Sequence, residues 1–233
     1  MPIYNLCFLG FGNVGRALAR LFFNKSVELR DLYGIEWRVT GVATRRLGWL
    51  TNANGFEREA LLSSNFDQGV TVASDFEEWL QLSQPGAVLE TTSLNVETGQ
   101  PAIDYLSAAL RVGAHVITAN KGTVVYGYEI LSGLAREVGK RYLFEATVLD
   151  SAPVFSLFRE CLPAANLRGF GGVFNSTTNV ILEAMETGRT FEEGVQAARE
   201  LGVTETDPSH DVDGWDSTVK VCALSTVLLK KRR

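Results

Sequence analysis

Apolar residues recur in two alternating rhythms through the N-terminal part of the chain. Short solid apolar runs predict buried strands, and stretches with apolar positions three and four apart predict helices. The first run, Ile3–Leu9, ends in Gly10-Phe11-Gly12-Asn13-Val14-Gly15, and helix periodicity follows over Arg16–Phe23. Further strands are predicted at Glu36–Thr44, Gly69–Ala73, Ala87–Glu90, His115–Thr118 and Tyr142–Val148, with a loop and short helix over Asn52–Leu62. Ser74-Asp75-Phe76-Glu77 reads as a capping box opening a helix to Leu82. Pro101 falls in the first turn of a helix that reaches Val112 and is stopped by Gly113; Glu129–Val138 is a helix stopped by Gly139. Strands alternating with helices in this way predict an α/β fold with a doubly wound, mostly parallel sheet.

Beyond Asp150 the rhythm changes. Val154–Cys161 is apolar and helical, and Leu167–Phe174 is strand-like with interspersed glycines. Asn175-Ser176-Thr177-Thr178-Asn179 opens a helix ending at Gly188, where its polar groups either cap the helix or hold an anion. Thr190-Phe191-Glu192-Glu193 is a second capping box, on a helix ending at Gly202. The expected organisation is a Rossmann-type nucleotide-binding domain over residues 1–146 and a smaller α+β substrate and dimerisation domain over 147–233.

The last long stretch holds the densest chemistry. Glu205, Asp207, Asp211, Asp213 and Asp216 crowd together just before a nearly all-apolar helix pattern. Asp216 and Lys220 are four apart and share a helix face that Ala223, Leu224 and Val227 continue. A lysine on an apolar stripe is costly unless paired or used, so the pair predicts a site facing a cleft.

The glycine loop adds a second site. Strand, GxGxxG, helix is the context of the dinucleotide fingerprint: Gly10 for the turn, Gly12 for approach of a pyrophosphate, Gly15 for helix packing. Phe11, Asn13 and Val14 complete the loop. The second strand ends in Arg45-Arg46 where an acidic ribose partner is usual, which favours NADP over NAD. Thr91-Thr92-Ser93 follows the fourth strand at its carboxyl end, where open α/β sheets bind ligands. His115 starts a buried strand and reads as structural.

Composition narrows the class. The chain has 233 residues, is 45% apolar and 21% charged, and carries a net charge of −5 with a pI near 5.2. Such a balance implies no general attraction to nucleic acid or anionic membrane. Cys7, Cys161 and Cys222 are widely spaced in apolar contexts, which predicts buried free thiols in a reducing compartment. The run 3–9 is too short for a signal segment and no span reaches membrane length, so a cytoplasmic protein is expected.

Taken together, GFGNVG, TANK (Thr118–Lys121), FEATV (Phe144–Val148), NSTTNVILEAM (Asn175–Met185) and ELGVTETDPSHDVDGWDSTVK (Glu200–Lys220) resemble, in order, the motifs of homoserine dehydrogenase. The resemblance covers nearly the whole chain, and the last motif is its most specific part. It implies reversible reduction of L-aspartate 4-semialdehyde to L-homoserine with NAD(P)H, in threonine, methionine and isoleucine biosynthesis, by a cytoplasmic homodimer. It implies Lys220 as general acid, Asp216 as its orienter and a substrate partner, Glu205 for the substrate ammonium, Asp211 for the same polar network and Lys121 in a catalytic or carboxylate-binding role. Lys121 and Gly202 join the expected cofactor contacts. A sodium ion is implied on Glu145 and the carbonyls of Val148, Asp150 and Ala152.

The chain departs from the family in three places. Asp150-Ser151-Ala152-Pro153 stands where a glycine pair is frequent, and Asn175-Ser176-Thr177 replaces the commoner Asn-Gly-Thr. The sequence also stops at Arg233, where members normally continue to finish the substrate domain. The alternatives are a nucleotide-binding protein without turnover, or another Rossmann reductase of a small aldehyde.

Overall fold

The computed structural model describes residues 3–66, 69–149, 152–202 and 209–230. By its internal contacts the chain divides into two compact units, Met1–Thr147 and Val148–Arg233.

In the first unit, β1 (Ile3–Leu9), α1 (Asn13–Asn24), α2 (Ser26–Tyr33), β2 (Glu36–Thr44), β3 (Gly48–Thr51), α3 (Arg58–Ser63) and β4 (Thr71–Ala73) follow in order. They are succeeded by α4 (Phe76–Ser83), β5 (Ala87–Glu90), α5 (Ala102–Arg111), β6 (His115–Thr118), α6 (Lys121–Glu137) and β7 (Tyr142–Leu143). The sheet runs β4-β3-β2-β1-β5-β6-β7. From β2 to β7 its pairs are parallel, and the β2–β3 and β3–β4 pairs are antiparallel. The order reverses at β1, so the carboxyl ends of β1 and β5 flank the topological switch point.

Each face buries its share of the core. Leu6, Phe8, Val39, Val42, Leu50, Phe56, Leu61 and Leu89 cluster with Phe11 and Ala19 of the glycine-loop segment. Trp79 is wholly buried and donates its indole N–H to the Leu50 carbonyl. Its ring lies so close to β2 that a Cβ on Gly41 would sit 2.7 Å from it. Glycine here is a packing requirement.

Several boundaries differ from expectation. β3 was not anticipated, because a turn at Arg45–Leu47 folds a four-residue strand back on β2; the Leu47 N–H donates to the Thr44 hydroxyl. The strand expected at Gly69–Ala73 is therefore the antiparallel edge strand β4. The capping box shifts by one residue: Asp75 is the N-cap, accepting from the Glu78 N–H, while the Glu78 carboxylate accepts from the Ser74 N–H. α6 begins eight residues before its periodicity predicted, because Asn120 caps it through the Gly122 N–H. The strand expected to reach Val148 stops at Leu143, and Glu145–Thr147 is a 3-10 turn in which the Thr147 N–H and hydroxyl both donate to the Phe144 carbonyl.

In the second unit, α7 (Val154–Ser156) runs into a π turn over Leu157–Cys161. It is followed by α8 (Ser176–Glu186), α9 (Phe191–Glu200), α10 (Ser209–Val212) and α11 (Trp215–Leu228). Leu167–Phe174 forms no strand: Gly169, Gly171 and Gly172 lie open, Val173 is exposed, and no pairing strand runs beside the segment among the described residues. The Thr190–Glu193 capping box is present in full. α8 and α9 approach closely at Gly194, where a Cβ would lie 3.0 Å from the Ile181 backbone.

Candidate active site

Two constellations stand out, one in each unit. The first is a cavity of about 700 Å³ over the carboxyl ends of β1, β2 and β5. Gly10 takes φ +89° as β1 ends, and its N–H donates to the Ala43 carbonyl of β2. The Thr91 hydroxyl donates to the Gly10 carbonyl, and a Cβ on Gly10 would lie 2.7 Å from the Thr91 backbone. Gly15 is similarly confined: a Cβ there would lie 2.9 Å from the Gly10 carbonyl oxygen. Gly12 differs: a Cβ there would meet nothing within 4 Å, and it lines the open cavity. As N-cap of α1 it offers no side chain to the first-turn N–H groups, which are the groups a pyrophosphate takes. A glycine cradle beside uncapped amides, with Arg45 and Arg46 on the cavity wall, fits a dinucleotide.

The predicted cofactor residues separate in this geometry. Gly10, Phe11, Gly12, Arg45, Arg46, Thr92 and Ser93 line the cavity. Asn13 instead accepts from the Arg16 guanidinium, Val14 is exposed, and Gly15 is buried in the packing of α1. Lys121 is the first residue of α6 and does not line the cavity. Gly202 lies in the other unit, after α9, at φ +69°. Trp49 and Tyr105 also line the cavity, with rings 5.5 Å apart edge to face. Neither was foreseen, since one sits on the unanticipated β3 and the other in mid-helix.

The second constellation surrounds α11. The Lys220 ammonium lies 2.8 Å from Asp216 and donates to the Phe174 carbonyl at 2.9 Å. Both side chains are four-fifths buried, at 18% and 19% exposure. Among the described residues the ammonium has these two partners, so one of its three N–H bonds remains for a substrate. Asn175 ties the cluster together. Its side-chain amide donates to Asp211 at 2.7 Å and to Asp216 at 3.0 Å, while its carbonyl accepts from the Thr178 N–H and caps α8. The Thr177 hydroxyl donates to the second oxygen of Asp211. The residues therefore serve as cap and polar clamp at once, a combination the local signature did not distinguish.

Glu205 and Asp150 lie outside the described residues, as does Asp207. Of the expected cation ligands, Glu145 belongs to the first unit and Val148 and Ala152 to the second. No group of three or more His, Cys, Asp or Glu side chains suited to a metal occurs among the described residues. None of the described helices is long and apolar enough to cross a membrane.

Residues 10–145 match the family model described as homoserine dehydrogenase, NAD binding domain, and residues 153–232 match the homoserine dehydrogenase model. The NAD(+)-dependent homoserine dehydrogenase of Pseudomonas canavaninivorans is 33% identical over 98% of the chain and 67% of its own length. The homoserine dehydrogenase of Mycobacterium tuberculosis is 30% identical over 96% of the chain, which spans 47% of it. A hyperthermophilic archaeal homoserine dehydrogenase solved in complex with NADPH superposes with a TM-score of 0.83 at 29% identity, covering 99% of this chain and 71% of the other.

Proposed function

Because the chain belongs to the homoserine dehydrogenase family of NAD(P)-dependent oxidoreductases, we propose that it interconverts L-aspartate 4-semialdehyde and L-homoserine. The observation that carries this reading is the largely buried ammonium of Lys220, held by Asp216 and the Phe174 carbonyl with one of its three N–H bonds unclaimed among the described residues. A dinucleotide held over Gly10 and Gly12, with Arg45 and Arg46 beside it, would supply the hydride for the aldehyde carbon. Lys220 gives the proton to the carbonyl oxygen as negative charge develops there, and is reprotonated from solvent; in the reverse direction its neutral amine removes the hydroxyl proton. Asp216 holds the ammonium against the reacting oxygen. Asp211 and Glu205 bind the polar end of the amino acid, and Lys121 contributes a positive charge toward the substrate carboxylate or the reacting oxygen.

NADP is the preferred cofactor in this reading, because two guanidinium groups line the cavity just after β2, where a 2′-phosphate is met. Glu145 with the carbonyls of Val148, Asp150 and Ala152 is a hard-oxygen set suited to a sodium ion. A cytoplasmic homodimer acting in threonine, methionine and isoleucine biosynthesis completes the proposal.

Absorbance at the NADPH band, with purified protein, NADP and L-homoserine, tests the reaction. Lys220→Ala is expected to lower kcat by about 10²–10⁴-fold while NADPH still binds. Cofactor binding without turnover in the wild-type chain favours the alternative of a non-catalytic nucleotide binder. Arg45→Glu is expected to weaken NADPH and spare NADH; an unchanged ratio of the two affinities defeats the phosphate assignment.

A further inference from the structure

Glu90 ends β5 in the middle of the sheet and is wholly buried. A valine or leucine would pack there with no desolvation cost, so a carboxylate persists only if its oxygens are used. They are used in different directions. One oxygen accepts from the Thr92 N–H at 2.8 Å, from the Thr92 hydroxyl and, at 3.5 Å, from the Asn120 amide. The other accepts from the hydroxyl of Thr118, which in turn accepts from the Asn120 N–H at 2.9 Å. The first oxygen thus anchors the 91–93 loop, which lines the cavity, and also meets the Asn120 amide, which itself lies 3.5 Å from the Thr92 hydroxyl. The second anchors the turn after β6, whose Asn120 caps α6 just ahead of Lys121. The network continues inward, from the Asn120 carbonyl to the Thr123 hydroxyl and the buried Tyr142 phenol.

We propose that Glu90 is a positioning residue: its carboxylate yokes the cavity-lining loop 91–93 to the 118–121 turn, and so sets the shape of the cofactor site without touching cofactor. The proposal rests on the cavity being the dinucleotide site. A side chain linking only one loop would stiffen that loop; linking both fixes their spacing at the carboxyl edge of two adjacent strands.

The test uses the full chain and needs no turnover. NADPH affinity is read from quenching of tryptophan fluorescence, Trp49 being on the cavity wall, and stability from thermal melting. Glu90→Gln keeps the shape but turns one acceptor into a donor, and is expected to weaken NADPH binding about tenfold. Thr118→Val removes one anchor at a residue that does not line the cavity, and is expected to weaken binding in the same direction. Because both act through one carboxylate, the double variant is expected to bind no more weakly than Glu90→Gln alone. Ser107→Ala, which deletes a buried hydroxyl bonded to the Ile103 carbonyl of α5, should lower the melting temperature without shifting NADPH affinity. Unchanged affinity in Glu90→Gln and Thr118→Val, or additive losses in the double variant, would overturn the proposal. Should Glu90→Gln not fold, unchanged affinity in Thr118→Val overturns it equally. A wild-type chain that binds no NADPH overturns the cofactor assignment itself, a distinct result.

Discussion

Asn175 serves two masters, and its two jobs can be separated chemically. Aspartate caps a helix as well as asparagine does, but it has no N–H to share between Asp211 and Asp216. Asn175→Asp therefore keeps the cap but is expected to lower the melting temperature, because a buried third carboxylate replaces two hydrogen bonds. Its third carboxylate repels the other two and loosens the hold on Lys220, so kcat is expected to fall about tenfold or more. A kcat equal to wild type would sink the clamp role. Cys7 is the opposite case: of the three thiols expected to be buried it alone is, Cys161 being exposed and Cys222 half-buried. Burial pushes its thiol from 9.0 up to about 11, against weaker opposing bonds to Ser83 and Thr40. Below pH 9 native and unfolded chains both keep the proton; between 9 and 11 the unfolded chain ionises first, so stability falls as pH rises, by on the order of 2 kcal/mol. Denaturant titrations of wild type and Cys7→Ala across that range should show the steeper loss in wild type. Of these residues, the Asp216–Lys220 pair was legible from its i,i+4 spacing. The second role of Asn175 was not, because a cap and a clamp present the same local residues.

The glycine loop shows how one motif divides its tasks among elements. Gly10 has positive φ and no room against Thr91, so Gly10→Ala should cost roughly 2–5 kcal/mol through strain and overpacking. Gly12 has room on every side. Gly12→Ala is therefore expected to leave the melting temperature unchanged and to weaken NADPH binding alone, measured by the same fluorescence titration. Loss of stability in Gly12→Ala, or its absence in Gly10→Ala, would reverse this division. The strand–turn–helix unit was readable because each of its signals is local. β3 was harder: it is four residues long and becomes a strand only through its pairing with β2 and β4, whereas β4 lay within the expected Gly69–Ala73 strand and only its antiparallel edge position was not legible. Leu167–Phe174 carries the opposite lesson: its composition is strand-like, yet it finds no pairing partner among the described residues and forms no strand.

At the scale of the molecule, the seven strands among the described residues and the aromatic cluster around Trp79 fall within Met1–Thr147. That unit owns a complete core, and every residue lining the cavity belongs to it. A fragment of residues 1–147 is accordingly expected to fold cooperatively and to bind NADPH within about threefold of the full chain, equivalent to under roughly 1 kcal/mol, while showing no turnover. Calorimetry on the purified fragment checks this; a fragment without a melting transition would show that the second unit is needed for folding.

Local periodicity, glycine spacing and helix caps all act over a few residues, and from them the alternating α/β plan, the dinucleotide loop and the paired Lys220 could be read directly. The polar clamps could not. Asn175 meets Asp211 and Asp216 across 36 and 41 residues, and Glu90 meets Thr118 across 28. Such contacts exist only after strands and helices have packed, because a hydrogen bond depends on where two groups end in space and linear order does not encode that distance.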